Sequence, residues 1–307
     1  MIRFRRRRLL SPSEMFPAGD QKYRVSFPRL RSGLTVRTVE TGKAADPPVV
    51  FVHGWGESVY IFRHNLPAVA AAGFRAIAVD IKGHGLSDKP RSGDGYGIDS
   101  LVSHVADILD VLGIARAPLV GHSMGGSLLL HFAQRHPERV ESLGLLSPVG
   151  LTGVPLMWLY HALTPSWITP VLPYLKSRTI IRIALRRVYG RRGAFSERDV
   201  EEFLAPAQFS DYAPAMRELL HSYDWEAAKH RRLSAATIPA AGVWGSLDHL
   251  MPSDGMAIYQ RLLPGIVLTR IDEAGHVIPQ ETPAEVNGAL LALLGGVDAR
   301  ANYISSE

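Results

Sequence analysis

The sequence contains no cysteine. Disulfides and thiolate metal sites are therefore excluded, while the compartment stays open because an absent thiol fits any redox setting. Charge is also missing locally: from Ser142 to Leu175 there is not one Asp, Glu, Lys or Arg. Prolines and glycines interrupt that stretch, so it does not read as a simple membrane span. Nor does the body of the chain carry a charge surplus. The formal +5 comes from Arg3, Arg5, Arg6, Arg7 and Arg8, with no acid before Glu14, so residues 11–307 balance to about zero. A neutral body argues against nucleic acid as a partner. A secretory leader is not expected either, since only Leu9-Leu10 follow the arginines before Ser11-Pro12-Ser13-Glu14. No internal repeat or low-complexity tract is present.

What is there fits one large α/β domain: 307 residues, 46% apolar and 21% charged. Residues 1–20 are expected to be a basic, disordered N-terminal tail. Short apolar runs then alternate with helical patterns, the rhythm of a parallel sheet. Strands are predicted at Leu34–Glu40, Val49–His53, Ala76–Asp80, Pro118–Gly121, Ser142–Ser147, Ala240–Trp244 and Val267–Ile271. From Val49 onward these are nearly continuous in apolar residues, as in strands covered on both faces. Helices are predicted at Leu101–Leu112, with Leu101, Val105, Ile108 and Leu112 on one stripe, and at Pro283–Leu294.

The rhythm stops near Gly150 and resumes near Ile238. The expected fold is α/β and doubly wound, with a mostly parallel sheet formed by residues 21–150 and 236–307 and a helical cap inserted at 151–235. Met157, Trp158, Leu159, Tyr160, Trp167 and Ile168 suit an apolar lid, or ordinary packing of cap on core. Residues 176–192 then hold seven basic residues and no acid. Arg178, Arg182 and Arg186 lie at i, i+4, i+8 opposite Ile181, Ala184, Leu185 and Val188, which predicts an amphipathic helix with a basic outer face. Such a face is solvated, or meets a lipid surface or acidic substrate.

Residues 121–125 read Gly-His-Ser-Met-Gly, after the apolar run Ala117–Val120 and before a stretch free of proline until Pro137. A serine hydroxyl needs the backbone to thrust it toward a base. A sharp strand-to-helix turn flanked by glycines does so. The chemistry then asks for a histidine to take the proton and a carboxylate to fix its tautomer. In a doubly wound sheet both come from loops at the carboxyl ends of later strands. Asp248 lies just beyond one predicted strand and His276 just beyond the next, in the order Ser, Asp, His. The oxyanion donors expected are the backbone N–H of Met124, at the start of the elbow helix, and that of Trp55, in His53-Gly54-Trp55-Gly56 after an earlier strand.

These residues resemble the α/β-hydrolase fold family, in its capped, single-domain branch. The matching pieces are His53–Gly56, Asp80–Pro90, Gly121–Gly126, Trp244–Asp248, and Gly275-His276 followed by Glu281-Thr282-Pro283. The resemblance implies Ser123 as nucleophile, Asp248 as acid, His276 as base, and Trp55 and Met124 as oxyanion donors. It makes Gly83–Pro90 a structural loop, and His53 and His122 structural or pocket-lining residues. Epoxide hydrolases and haloalkane dehalogenases are similar but carry aspartate at the elbow, where this chain has Ser123. Prolyl aminopeptidase relatives carry tryptophan where this chain has Met124.

The expected activity is that of a carboxylesterase-like serine hydrolase cleaving an ester or related acyl bond of a small apolar substrate, with no metal or organic cofactor. The alternatives are a C–C bond hydrolase of a diketone-type substrate and a non-catalytic ligand-binding protein on the same fold. The expected location is cytoplasmic, with weak peripheral membrane contact through Arg3, Arg5, Arg6, Arg7, Arg8 and the cap helix.

Overall fold

The computed structural model describes residues 8–91, 95–150, 154–155, 157–225, 238–251 and 255–304, with side chains through residue 295. Among the described residues eight strands run in chain order as β1 (Arg24–Ser26), β2 (Thr38–Thr41), β3 (Pro48–Val52), β4 (Arg75–Val79), β5 (Ala117–His122), β6 (Val140–Leu146), β7 (Ala240–Gly245) and β8 (Val267–Ile271). In the sheet their order is β1-β2-β4-β3-β5-β6-β7-β8. The first two strands are antiparallel to their neighbours, and every pairing from β4 to β8 is parallel.

The apolar runs are continuous because the sheet has two cores. Val50, Val52, Ile77, Val79 and Leu119 face one, packed with α2 (Ile98–Val111), α3 (Met124–Arg135) and α8 (Gly255–Leu262). Their alternating neighbours Val49, Phe51, Ala76, Ala78 and Val120 face the other, with α1 (Leu66–Ala71) and α10 (Pro283–Ile304). A strand buried on both faces has no polar positions to spare, so its sequence loses the usual alternation. Leu101, Val105 and Ile108 form the buried stripe of α2, as predicted.

The chain leaves β3 toward β4 on one side and returns to place β5 on the other. Loops after β3 and β5 therefore diverge, opening a crevice at their carboxyl ends. The connections after β7 and β8 begin at the same edge of the sheet as those after β3 and β5.

Between β6 and β7 lie α4 (Met157–Leu163), α5 (Arg178–Val188), α6 (Glu197–Leu204) and α7 (Tyr212–Ser222). The helix α9 (Ile278–Glu281) precedes α10. Among the described residues no helix is long and apolar enough to cross a membrane.

Four expectations differ from the structure, the first being cover on both faces of Val267–Ile271, which is an edge strand with Val267 68% exposed. Secondly, the tail predicted over residues 1–20 is docked from residue 8 onward, while Arg3, Arg5, Arg6 and Arg7 lie outside the described residues. Arg8 pairs with Glu14, Met15 is buried, and the Phe16 N–H donates to Glu202 Oε1 at 2.7 Å. Burying Met15 offsets the entropy of ordering the segment. Thirdly, α5 is turned relative to its predicted orientation. Arg178 and Arg182 meet Glu201 and Glu197 of α6, so two i, i+4 pairs match across the helices, and Ile180 and Ile183 are left exposed. Finally, the edge strand β1 was not predicted: its three residues are all exposed and carry no apolar pattern.

Candidate active site

Ser123 caps the N-terminus of α3 with φ 52° and ψ −120°. A non-glycine residue held there costs about 1–3 kcal/mol, so its surroundings must over-determine it. The Ser123 N–H donates to Leu146 O at 2.9 Å, and its carbonyl accepts from Val149 N and Ser127 N, each at 3.2 Å. The turn also requires close passage of helix and strands. A β-carbon on Gly125 would lie 2.2 Å from Val52 O, and one on Gly121 would lie 2.5 Å from Gly126 N. Neither position admits a side chain.

The structure brings the three candidate side chains together. His276 Nε2 is 2.8 Å from Ser123 Oγ, and His276 Nδ1 is 2.8 Å from Asp248 Oδ2. The other Asp248 oxygen, Oδ1, accepts from the N–H groups of Leu250 and Met251, both at 2.9 Å. Burial opposes the charge on Asp248. The His276 ring, its hydrogen bond and these two N–H groups outweigh burial and hold the carboxyl below its ordinary value. An ionised Asp248 requires a proton on Nδ1 of His276, which leaves Nε2 free to accept the Ser123 proton. Asp248 and His276 are buried, and Ser123 is 9% exposed.

Trp55 follows β3, so the switch point sets its loop beside the elbow. A β-carbon on Gly54 would lie 2.9 Å from Ser123 Cβ. The Met124 N–H is a first-turn donor of α3, one of those an α-helix leaves unpaired. No backbone acceptor among the described residues takes the Trp55 N–H. The Trp55 indole donates to Met216 O at 3.0 Å, and Tyr212 Oη donates to Gly56 O at 3.3 Å. Both acceptor and donor belong to α7, so this helix grips the loop twice.

Sequence reasoning missed Glu57. Its Oε2 accepts from Gly54 N at 2.7 Å and lies 2.9 Å from His122 Nδ1. The second ring nitrogen of His122, Nε2, is 2.9 Å from the His276 carbonyl oxygen. Both acceptors need a proton from the ring, so His122 is an imidazolium paired with a carboxylate. Burial disfavours both charges, but their mutual attraction and hydrogen bond prevail. Glu57 is held below its ordinary value and His122 above. The pair thus joins the loop of Gly54 and Trp55 to the loop of His276. A glutamate three residues past Gly54, with a histidine beside the elbow serine, was the available signal.

His276 is also tied to the segment between β6 and β7. Its N–H donates to Val188 O, the last residue of α5, at 2.7 Å. Glu281 accepts from Gly275 N at 2.8 Å, Gly190 N at 3.0 Å and Arg192 N at 3.1 Å. His53 serves the fold: Nδ1 donates to Gly54 O at 2.8 Å, and Nε2 accepts from Ile81 N at 3.2 Å. Among the described residues, no group of three or more His, Asp or Glu side chains is arranged to hold a metal.

A family profile described as alpha/beta hydrolase fold matches residues 47–283. The chain belongs to the α/β-hydrolase fold family. It is 31% identical over 265 residues to the dihydrolipoyllysine-residue acetyltransferase component of the acetoin cleaving system of Pseudomonas putida, covering 85% of this chain and 67% of that protein. It is 26% identical over 315 residues to epoxide hydrolase A of Mycobacterium tuberculosis, covering 88% of this chain and 97% of that one. Among solved structures, the carboxylesterase CesB of Bacillus subtilis superposes with a TM-score of 0.74 at 21% identity, over 93% of this chain and 95% of that chain. The two relatives are named for different reactions, and the 21% likeness concerns the fold alone.

Proposed function

We propose that this α/β-hydrolase is a carboxylesterase-like serine hydrolase that cleaves an ester through an acyl-enzyme intermediate. The observation that carries the reading is the unbroken pair of 2.8 Å hydrogen bonds from Asp248 through His276 to Ser123. In the proposed reaction the Ser123 hydroxyl attacks the ester carbonyl while His276 Nε2 takes its proton. Asp248 stabilises the imidazolium that results, and the Trp55 and Met124 N–H groups receive the oxyanion. His276 then protonates the departing alcohol. Water repeats the sequence on the acyl-Ser123 ester and frees the acid. No step calls for a metal or organic cofactor.

Epoxide opening, the chemistry in the name of the mycobacterial relative, is disfavoured by the nucleophile. A serine that opened an epoxide would be left as an alkyl ether, with no carbonyl for water to attack. The uncharged run from Ser142 to Leu175 supports an apolar acyl group.

The test is Ser123→Ala on a panel of p-nitrophenyl esters, with a fluorophosphonate probe as covalent reporter. The variant should lose on the order of 10⁴-fold or more in kcat and all labelling. Turnover at the wild-type rate would remove the nucleophile assignment. Rates in the wild type should rise from short to medium acyl chains, and a steady fall would count against the apolar substrate. Turnover of a vinylogous diketone in preference to every ester would favour C–C hydrolysis.

A further inference from the structure

The segment between β6 and β7 displays large apolar side chains that are mostly exposed. Trp158 is 69% exposed, Trp167 75% and Tyr174 82%, and Ile180 and Ile183 on α5 are 57% and 59% exposed. All fall in one stretch of chain whose opposite side is already occupied. Met157 and Tyr160 pack against the core, Leu185 is buried, and His161 Nε2 donates to Leu220 O of α7 at 3.0 Å. The exposed residues are therefore not a core left unfilled. A monomer that meets only water rarely exposes so many aromatic and branched side chains within one short stretch of chain.

The charges within that stretch of sequence share one sign. From Ser142 through Ser196 the sequence has no Asp or Glu. Arg178 and Arg182 are neutralised by Glu201 and Glu197 on the inner side of α5. Lys176, Arg186 and Arg187 are exposed and form no ion pair among the described residues. On α5, Ile180, Ile183 and Arg187 follow each other at i, i+3 and i+7, so a single outward stripe combines branched apolar groups with a cation.

We propose that this outward face of the cap, from Trp158 to Arg187, docks on an anionic lipid surface. Tryptophan and tyrosine favour the boundary between headgroups and acyl chains, where an amphipathic ring satisfies both sides. Ile180 and Ile183 insert beside them, while Lys176, Arg186 and Arg187 meet lipid phosphates and carboxylates. A second copy of the chain fits poorly, because a two-fold contact would set Lys176, Arg186 and Arg187 against their own copies.

The experiment is co-sedimentation of the full chain with vesicles of phosphatidylcholine containing phosphatidylserine, and with phosphatidylcholine alone, at low and high salt. Binding is expected on the anionic vesicles, weakened by salt. Each cation at such a surface adds roughly fivefold in affinity. The triple variant Lys176→Ser, Arg186→Ser, Arg187→Ser should therefore bind about two orders of magnitude more weakly. Trp158→Ala with Trp167→Ala tests the apolar part and should also release the protein. Both variants change exposed residues and should melt as the wild type does.

Absence of binding to anionic vesicles overturns the proposal. So does wild-type binding by both variants, including the case where deleting residues 1–7 alone abolishes it. A concentration-dependent dimer that disappears in the tryptophan variant would also overturn it, by making the face a self-association surface. None of these readouts requires turnover, so their failure is separable from failure of the esterase reading.

Discussion

Replacing Glu57 by alanine should destabilise the whole protein and reveal the charge on His122. The carboxylate lies 2.9 Å from His122 Nδ1, and the ring's other proton is committed to the His276 carbonyl. Removing Glu57 strands a buried imidazolium, a loss of about 3–5 kcal/mol, unless the ring gives up a proton and a hydrogen bond with it. At about 2 cal/mol/K per residue of unfolding entropy, that corresponds to a fall in Tm of roughly 5–8 °C. Changing His122 to alanine as well removes the unpaired charge. The double variant should then recover about 0.5–3 kcal/mol relative to the sum of the single losses.

The same pair sets a pH dependence of stability. Glu57 is held below its ordinary value, so its contribution is present above the unfolded carboxyl value and lost as pH falls through the lower folded one. His122 is held above its ordinary value, so its contribution is full below the unfolded imidazole value and lost as pH rises through the higher folded one. Stability from the pair is therefore greatest between the two unfolded values, in mildly acidic solution. Thermal melts of wild type, both single variants and the double variant across pH provide the assay. If Glu57→Ala melts with the wild type, or if the two substitutions add without coupling, the buried ion pair does not exist as described.

Asp248→Asn should lower kcat by about 10⁴-fold on any ester turned over, because an amide N–H facing Nδ1 favours the wrong imidazole tautomer. Full activity in that variant would refute the role given to Asp248. Gly125→Ala should destabilise by about 1–3 kcal/mol or more, since its β-carbon would lie 2.2 Å from Val52 O. A wild-type melt would refute the close approach. Glu281→Ala leaves the Gly275 N–H without its acceptor, a loss of about 1–3 kcal/mol, and should reduce kcat more than it alters KM. Calorimetry and steady-state kinetics on the same preparation would check both.

Much of this was legible in the sequence because the informative groups sit next to regular structure. Ser123, Asp248 and His276 each follow their own apolar strand, and the sheet order then forces convergence. The strand at Val267–Ile271 agrees with its predicted bounds, and the other predicted strands shift at their ends. What escaped depends on partners distant in sequence. The position of residues 8–20 is set by Glu202 and Gln208, far along the chain. The rotation of α5 follows from Glu197 and Glu201 on the next helix, since unpaired arginines would have turned to water. The Glu57–His122 pair is 65 residues apart, and neither residue advertises the other through local periodicity.

The bond from His276 to Val188 and the grip of Glu281 on Gly190 and Arg192 have a practical consequence for engineering. The end of α5 and the residues after it share one splice with the loop of His276. Grafting a foreign cap from another hydrolase therefore cannot stop at the borders of the insertion. A chimera that exchanges 188–192 without 275–281 should misalign the imidazole, whereas a swap confined to residues before Val188 leaves the splice whole.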